Sequence, residues 1–163
     1  MNENKRLLKE GSISFFFLGK MPIAPGTFGT LGALVLAYSI VILIEEFAEL
    51  ILFFMAALFY YIGITLAPWS EKKYGKDPGI YVLDEVIGYL LVVSILLFFK
   101  INFDIYMWGT TFLLFRIFDV IKIWPAKDLE YVEKGHGILL DDIAAGFQTI
   151  ILILILIDFN LFF

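Results

Sequence analysis

The chain predicts an all-α fold, a polytopic membrane bundle of about five transmembrane helices, on three observations. Hydrophobic residues make up 61% of its 163 positions, at a mean hydropathy of +0.89, against about 45–50% in soluble domains. The apolar residues gather in runs of the length a bilayer demands, and Lys and Arg favour alternate connections between those runs. A soluble domain of this size has too little interior to hide so much apolar surface, whereas in a bilayer the lipid is itself the solvent.

The chain starts basic, with Lys5, Arg6 and Lys9, then has a short apolar patch, Ile13–Leu18, and Lys20. That patch is short for a signal-peptide core, and Lys20 stands where a small-residue cleavage site would be. Residues 1–20 are therefore expected to stay on the protein as a cytoplasmic, interfacial segment. Five apolar runs follow, at 27–44, 48–67, 82–99, 106–123 and 139–157, each close to the roughly 17–25 residues that cross a hydrocarbon core as a helix. The first two carry no charge except Glu49, and Glu45 and Glu46 lie between them. A turn-rich stretch holding Lys72, Lys73, Lys76 and Asp77-Pro78-Gly79 precedes the third run, which is apolar apart from Asp84 and Glu85. The polar turn Lys100–Asp104 precedes the fourth, which carries Arg116, Asp119 and Lys122. After a second polar loop, 124–137, the fifth carries Asp141 and Asp142. Ile150–Ile157 has strand-like composition, but a lone strand leaves its backbone unpaired in lipid, so helix is expected there too. No repeat or low-complexity linker divides the chain, which reads as one domain over 1–163. The aromatic residues, 18% of the chain, are assigned mainly to lipid-facing and interfacial positions.

Orientation follows from Lys and Arg in the short connections. Lys5, Arg6, Lys9 and Lys20 precede the first run. Lys72, Lys73 and Lys76 follow the second, and Lys127 and Lys134 follow the fourth, with Lys122 at its edge. The opposite connections hold Lys100 with Glu45, Glu46, Glu49 and Asp104. The N-terminus and both long loops are expected inside, and the C-terminus outside.

That orientation brings the unusual residues to one depth. Thr27 and Thr30, Asp84 and Glu85, Arg116 and Asp119, and Asp141 and Asp142 all fall near the cytoplasmic ends of their runs. An ionisable group within a span costs about 2.5–3.5 kcal/mol on insertion scales. Arg116 and Lys122 do not balance Asp84, Glu85, Asp119, Asp141 and Asp142, whereas a divalent cation would, and hard oxygen ligands favour Mg²⁺, Ca²⁺ or Mn²⁺ over zinc. Plainer readings exist for parts of the set. A helix N-terminus accounts for Asp141 and Asp142 alone, and interfacial charges snorkel. Gly26, Gly29, Gly32 and Ala33 read as close helix packing rather than a phosphate loop. His136, in a Gly-rich stretch, reads as a loop residue.

Four blocks carry a resemblance: Pro25-Gly26-Thr27-Phe28-Gly29-Thr30; Asp77-Pro78-Gly79 with Leu83-Asp84-Glu85-Val86-Ile87-Gly88; Phe115-Arg116-Ile117-Phe118-Asp119-Val120-Ile121-Lys122; and Gly137-Ile138-Leu139-Leu140-Asp141-Asp142-Ile143-Ala144-Ala145-Gly146. In this order, over about residues 18 to 147, the chain resembles the phosphatidylglycerophosphatase A family. The resemblance implies Mg²⁺-dependent hydrolysis of phosphatidylglycerophosphate to phosphatidylglycerol and phosphate, in the bacterial cytoplasmic membrane. Carried over by position, the family's acids fall on Asp77, Asp84, Glu85, Asp119, Asp141 and Asp142, and its basic pair on Arg116 and Lys122. The chain departs from the family pattern at Ile123-Trp124-Pro125, at Thr30 and at His136, and no departure removes a charged group.

The residue inventory agrees with that activity. The chain has no Cys and one His, and no Asp-x-Asp pair. Phosphocysteine, histidine-pair and aspartyl-phosphate routes are therefore closed, which leaves metal-activated water. The expected metal ligands are Asp84, Glu85, Asp119, Asp141 and Asp142; among these acids the roles of ligand and general base stay open. Substrate is expected at Thr27, Thr30, Asp77, Arg116 and Lys122, with Arg116 able to hold phosphate bidentately. The expected partners are the phospholipid and the membrane, with no nucleic acid. A cation or proton transporter is the competing reading, although its ionisable groups should lie nearer the midplane; a structural scaffold would not need so many acids.

Overall fold

The computed structural model describes residues 2–129 and 136–160, and every regular element among them is helical. Helices α1 (Glu3–Ile13), α2 (Pro25–Ile44), α3 (Ala48–Tyr74), α4 (Leu83–Phe98), α5 (Ile105–Ile121), the single turn α6 (Ala126–Leu129) and α7 (His136–Asp158) follow in chain order. Lys134, used above for orientation, lies outside the described residues.

The five apolar runs each become a helix, with shifted ends. Helix α2 starts two residues earlier than expected, with Pro25 at its first position, where the missing N–H costs nothing. Helix α3 runs through Pro68 and stops only at Gly75, whose φ is +96°, a left-handed stop natural to glycine. Asp104 caps α5 by accepting a 2.8 Å hydrogen bond from the Met107 amide, satisfying one of the free N–H groups of the first turn. Ile150–Ile157 is helical within α7.

Three of the five are long and apolar enough to cross a membrane: α2 with 20 residues, α3 with 27 and α7 with 23. Helices α4 and α5, with 16 and 17 residues, reach about 24–26 Å at 1.5 Å per residue, short of a ~30 Å hydrocarbon core. Helix α4 compensates by position. Eleven of its 16 residues are buried, and it packs against α2, α3, α5 and α7, so it is enclosed by protein where α2 and α3 leave most of their apolar surface exposed. Two glycines set its approach to α7. A Cβ on Gly88 would come within 2.7 Å of the Asp142 carbonyl, and one on Gly146 within 3.1 Å of the Gly88 carbonyl.

Residues 10–20, expected at the interface, form a hairpin packed into the bundle. Phe15, Phe16 and Phe17 all adopt left-handed φ values of 43–69° and reverse the chain. The tip enters beside α2 and α3: Phe15 stands edge-on to Phe59 at 5.8 Å, and Gly32 leaves room for Phe15 and Leu18. Glu10, 4% exposed, closes the neck. Its carboxylate accepts hydrogen bonds from Lys20 (2.8 Å), Tyr74 (2.7 Å), Arg6 (3.2 Å) and Lys73. The bonds from Lys20, Lys73 and Tyr74 hold the Glu10 carboxyl below the usual carboxylate range.

His136 is not a loop residue. It opens α7, and its Nδ1 lies 3.0 Å from the Tyr60 hydroxyl on α3. The Gly-rich sequence around it reads as a turn, but a tertiary hydrogen bond anchors the first helical turn instead.

Candidate active site

The start of α2, the start of α4, the end of α5 and the start of α7 meet around one cleft of about 260 Å³. Asp77, Asp84, Glu85, Arg116, Asp119, Lys122, Asp141 and Asp142 all line it. Thr27 and Thr30 do not. Thr27 is half-buried, and Thr30 is fully buried behind the cleft, where its hydroxyl donates to the Gly26 carbonyl (3.0 Å) and accepts from Arg116 Nη1 (3.3 Å). Thr30 therefore reaches the site through Arg116.

The acids sort into distinct roles by their contacts. Asp84, Glu85 and Asp142 present carboxylate oxygens that all lie within 4.8 Å of one another. Asp84 and Asp142 are 7% and 3% exposed. Glu85 Oε2 and Asp142 Oδ2 are buried without a hydrogen-bond partner among the described residues. Burying like charges together is unfavourable unless something compensates. Asp119, in the last turn of α5, is instead bonded to Arg116 Nη1, and Asp141 takes a 2.7 Å bond from Lys122 Nζ. The same Arg116 nitrogen lies 3.6 Å from Glu85 Oε1. Arg116 Nη2 and Nε have no protein partner among the described residues, and the side chain is 17% exposed. The guanidinium is thus fixed by one nitrogen with the rest of its fork unclaimed.

Local backbone explains how the acids get there. Asp84 and Glu85 occupy the first turn of α4, where the helix dipole favours anions. Asp141 and Asp142 do not share that benefit. With α7 starting at His136 they stand in its second turn, and the dipole's effect fades within the first. The plainer account of those two acids therefore loses its support. Each pair folds back on its own backbone, Asp84 accepting from the Glu85 amide and Asp141 from the Asp142 amide, both at 3.0 Å. Ala24, Asp77 and Lys122 hold left-handed φ values of 47–48°, a strained conformation for residues with a side chain that recurs at functional sites.

Gly26 and Tyr81 also line the cleft, although the sequence pattern did not assign them to it. Gly26, read as helix packing, faces the acids: a Cβ there would overlap Glu85 Oε1 and come within 3.2 Å of Arg116 Nη1. Gly29 and Gly32 do pack, against Val82 and against Leu18 with Phe15. Tyr81, one of many aromatics, is 3% exposed and lines the cleft. Its place between Asp77 and Asp84 was the available signal.

Six carboxylates thus face two cations across a cleft at one end of the bundle. The oxygen-only donor set and the two orphaned buried oxygens suit a hard divalent cation, and the open guanidinium fork suits a phosphate. Comparison with known proteins bears on the chemistry. A Bacteroides thetaiotaomicron protein provisionally named a phosphatidylinositol-3-phosphatase is 36% identical over 85% of this chain and 86% of its own. Proteins named phosphatidylglycerophosphatase A are also similar: that of Haemophilus influenzae is 30% identical over 85% of this chain and 82% of its own. That of Escherichia coli is 34% identical over 80% and 73%. No solved structure matches the chain. The family model described as phosphatidylglycerophosphatase A matches residues 12–157, so the chain belongs to the phosphatidylglycerophosphatase A family and is a membrane-embedded phosphatase.

Proposed function

We propose that this phosphatase hydrolyses phosphatidylglycerophosphate to phosphatidylglycerol and phosphate, with Mg²⁺, at the cytoplasmic face of a bacterial inner membrane. The observation that carries the reading is the carboxylate triad Asp84, Glu85 and Asp142 beside a guanidinium whose fork is open. Two of the relatives are named for this activity. The distribution of Lys and Arg supports the cytoplasmic orientation. A transporter fits less well, because the acids gather at one end of the helices and the family is one of phosphatases.

Asp84, Glu85 and Asp142 would hold the cation, which supplies Lewis acidity by drawing charge off the phosphoryl oxygens and acidifying water. Arg116, steadied by Asp119, Glu85 and Thr30, places its free nitrogens on two phosphate oxygens. Lys122, steadied by Asp141, adds a point charge. In this division of labour Asp119 and Asp141 orient cations rather than bind metal. Water adds to phosphorus in line with the glycerol oxygen, the P–O ester bond breaks, and the alcohol leaves with a proton. A cleft carboxylate takes the proton of the attacking water and delivers it to the leaving glycerol oxygen, so the carboxylate ends as it began.

The provisional name of the Bacteroides relative makes a phosphoinositide monoester a second head group to test. Phosphate release by purified protein should be measured on phosphatidylglycerophosphate, phosphatidylinositol 3-phosphate and water-soluble glycerol phosphate, each with Mg²⁺ and with EDTA. Turnover of the first, little of the last and silence in EDTA are expected. Full activity after exhaustive chelation would sink the metal assignment, and preference for the inositol lipid would reassign the head group.

A further inference from the structure

An apolar groove of about 470 Å³ runs along α2 against the hairpin tip. Phe28, Gly32, Val35 and Ser39 line it on the helix side, and Phe15 and Leu18 form the opposite wall. Continued toward the N-terminus at the same helical spacing, this stripe meets Pro25, which lines the catalytic cleft. Pro25, Phe28, Gly32, Val35 and Ser39 are separated by three or four residues, the interval that keeps side chains on one helix face. The groove therefore starts within one turn of the cleft and leads away from it. From Phe28 to Ser39 it covers about 16 Å of helix rise, half of a ~30 Å hydrocarbon core. That is the depth of one leaflet.

We propose that this groove seats one acyl chain of the lipid whose phosphate occupies the cleft. The inference rests on the phospholipid-monoester reading above. A phosphate held at Arg116 and Lys122 fixes the head group at the rim, and the chains must then descend into the leaflet on the same side. The groove offers them a wall already shaped. Gly32 lets the hairpin wall seat directly on the helix, since a Cβ there would reach Leu18 at 2.5 Å and Phe15 at 3.1 Å, and so fixes the two walls at one spacing. It also opens sideways to lipid: Leu31 is 43% and Val35 56% exposed, with no protein covering them.

The test adds bulk at two depths. Val35 lies about 10 Å and Ser39 about 16 Å below Phe28 along the helix. Val35→Trp should raise KM for dioleoyl phosphatidylglycerophosphate about tenfold by displacing several methylenes, with less than about twofold change for the dihexanoyl lipid, whose chains end above the obstruction. Ser39→Trp should show the same selectivity with a smaller rise. Leu113→Trp, on the lipid-facing side of α5 at 61% exposure, should leave both substrates unchanged. Turnover of the short lipid reports that each variant folds. Equal loss on both chain lengths, or loss on neither, overturns the groove while the activity itself stands. A wild-type protein that turns over neither lipid overturns the reading beneath it.

Discussion

Gly26→Ala is the smallest change that separates the site from the fold. Its added methyl overlaps Glu85 Oε1 and lies 3.2 Å from Arg116 Nη1, so the Glu85 carboxylate must swing away. That move takes one oxygen from the triad and one partner from the guanidinium. A displacement on the order of 1 Å at a positioned group costs roughly a hundredfold in rate, or about 2.7 kcal/mol of transition-state stabilisation. The backbone has no such objection. Alanine is favoured over glycine in a helix by up to ~1 kcal/mol, so the melting temperature should hold or rise. Steady-state kinetics on the phospholipid monoester, with thermal unfolding in the same detergent, reads both quantities. Shortening the facing acid in Gly26→Ala/Glu85→Asp should recover part of the loss, as coupled neighbours do. Near wild-type activity in Gly26→Ala, or a loss matched by a fall in melting temperature, would refute the close-approach argument.

Asp84→Asn and Asp142→Asn should each abolish turnover while leaving metal-free stability unchanged or higher, since each removes a charge from a crowded buried triad; a clear stability loss in EDTA would contradict this. Arg116→Lys keeps the charge but loses the planar fork, and kcat/KM should fall about a hundredfold; a change of only a few-fold would show that a point charge suffices. Glu10→Gln should lower the melting temperature by several degrees. Because the folded carboxyl lies below its ordinary value of 4.5, its contribution is complete above that pH and is lost as pH falls through the folded value. The variant should therefore also flatten the acid limb of the stability curve, and an unchanged limb would contradict the assignment. His136→Ala loses the Tyr60 hydrogen bond at about 1 kcal/mol and should keep kcat near wild type; an inactive but folded variant would give His136 a direct role.

Hydropathy and charge alone were enough to read a helical membrane protein with five apolar helices, because lipid admits only backbones that satisfy themselves within a segment. They also located the acids and bases that lie in apolar runs and line the cleft, because a charge there is costly wherever it stands; Asp77, in a polar turn, came only from the family resemblance. Local pattern assigned one partner only: Arg116 and Asp119 stand three residues apart on one helix face and pair there. Asp141 looks like Asp84 and Asp142 in the sequence, and only the tertiary approach of Lys122 makes it ion-paired while Asp84, Glu85 and Asp142 converge as a triad. Thr30 and Gly26 belong to one block, yet one buttresses Arg116 from behind while the other clears space in front of Glu85. The hairpin was illegible for the same reason. Its apolar tip is too short to announce insertion, and its neck depends on Lys73 and Tyr74, some 60 residues away in sequence, reaching Glu10. Segment character is a local property set by solvent, whereas the pairing of charges depends on which helix ends meet, and that is settled when α4 packs among its neighbours.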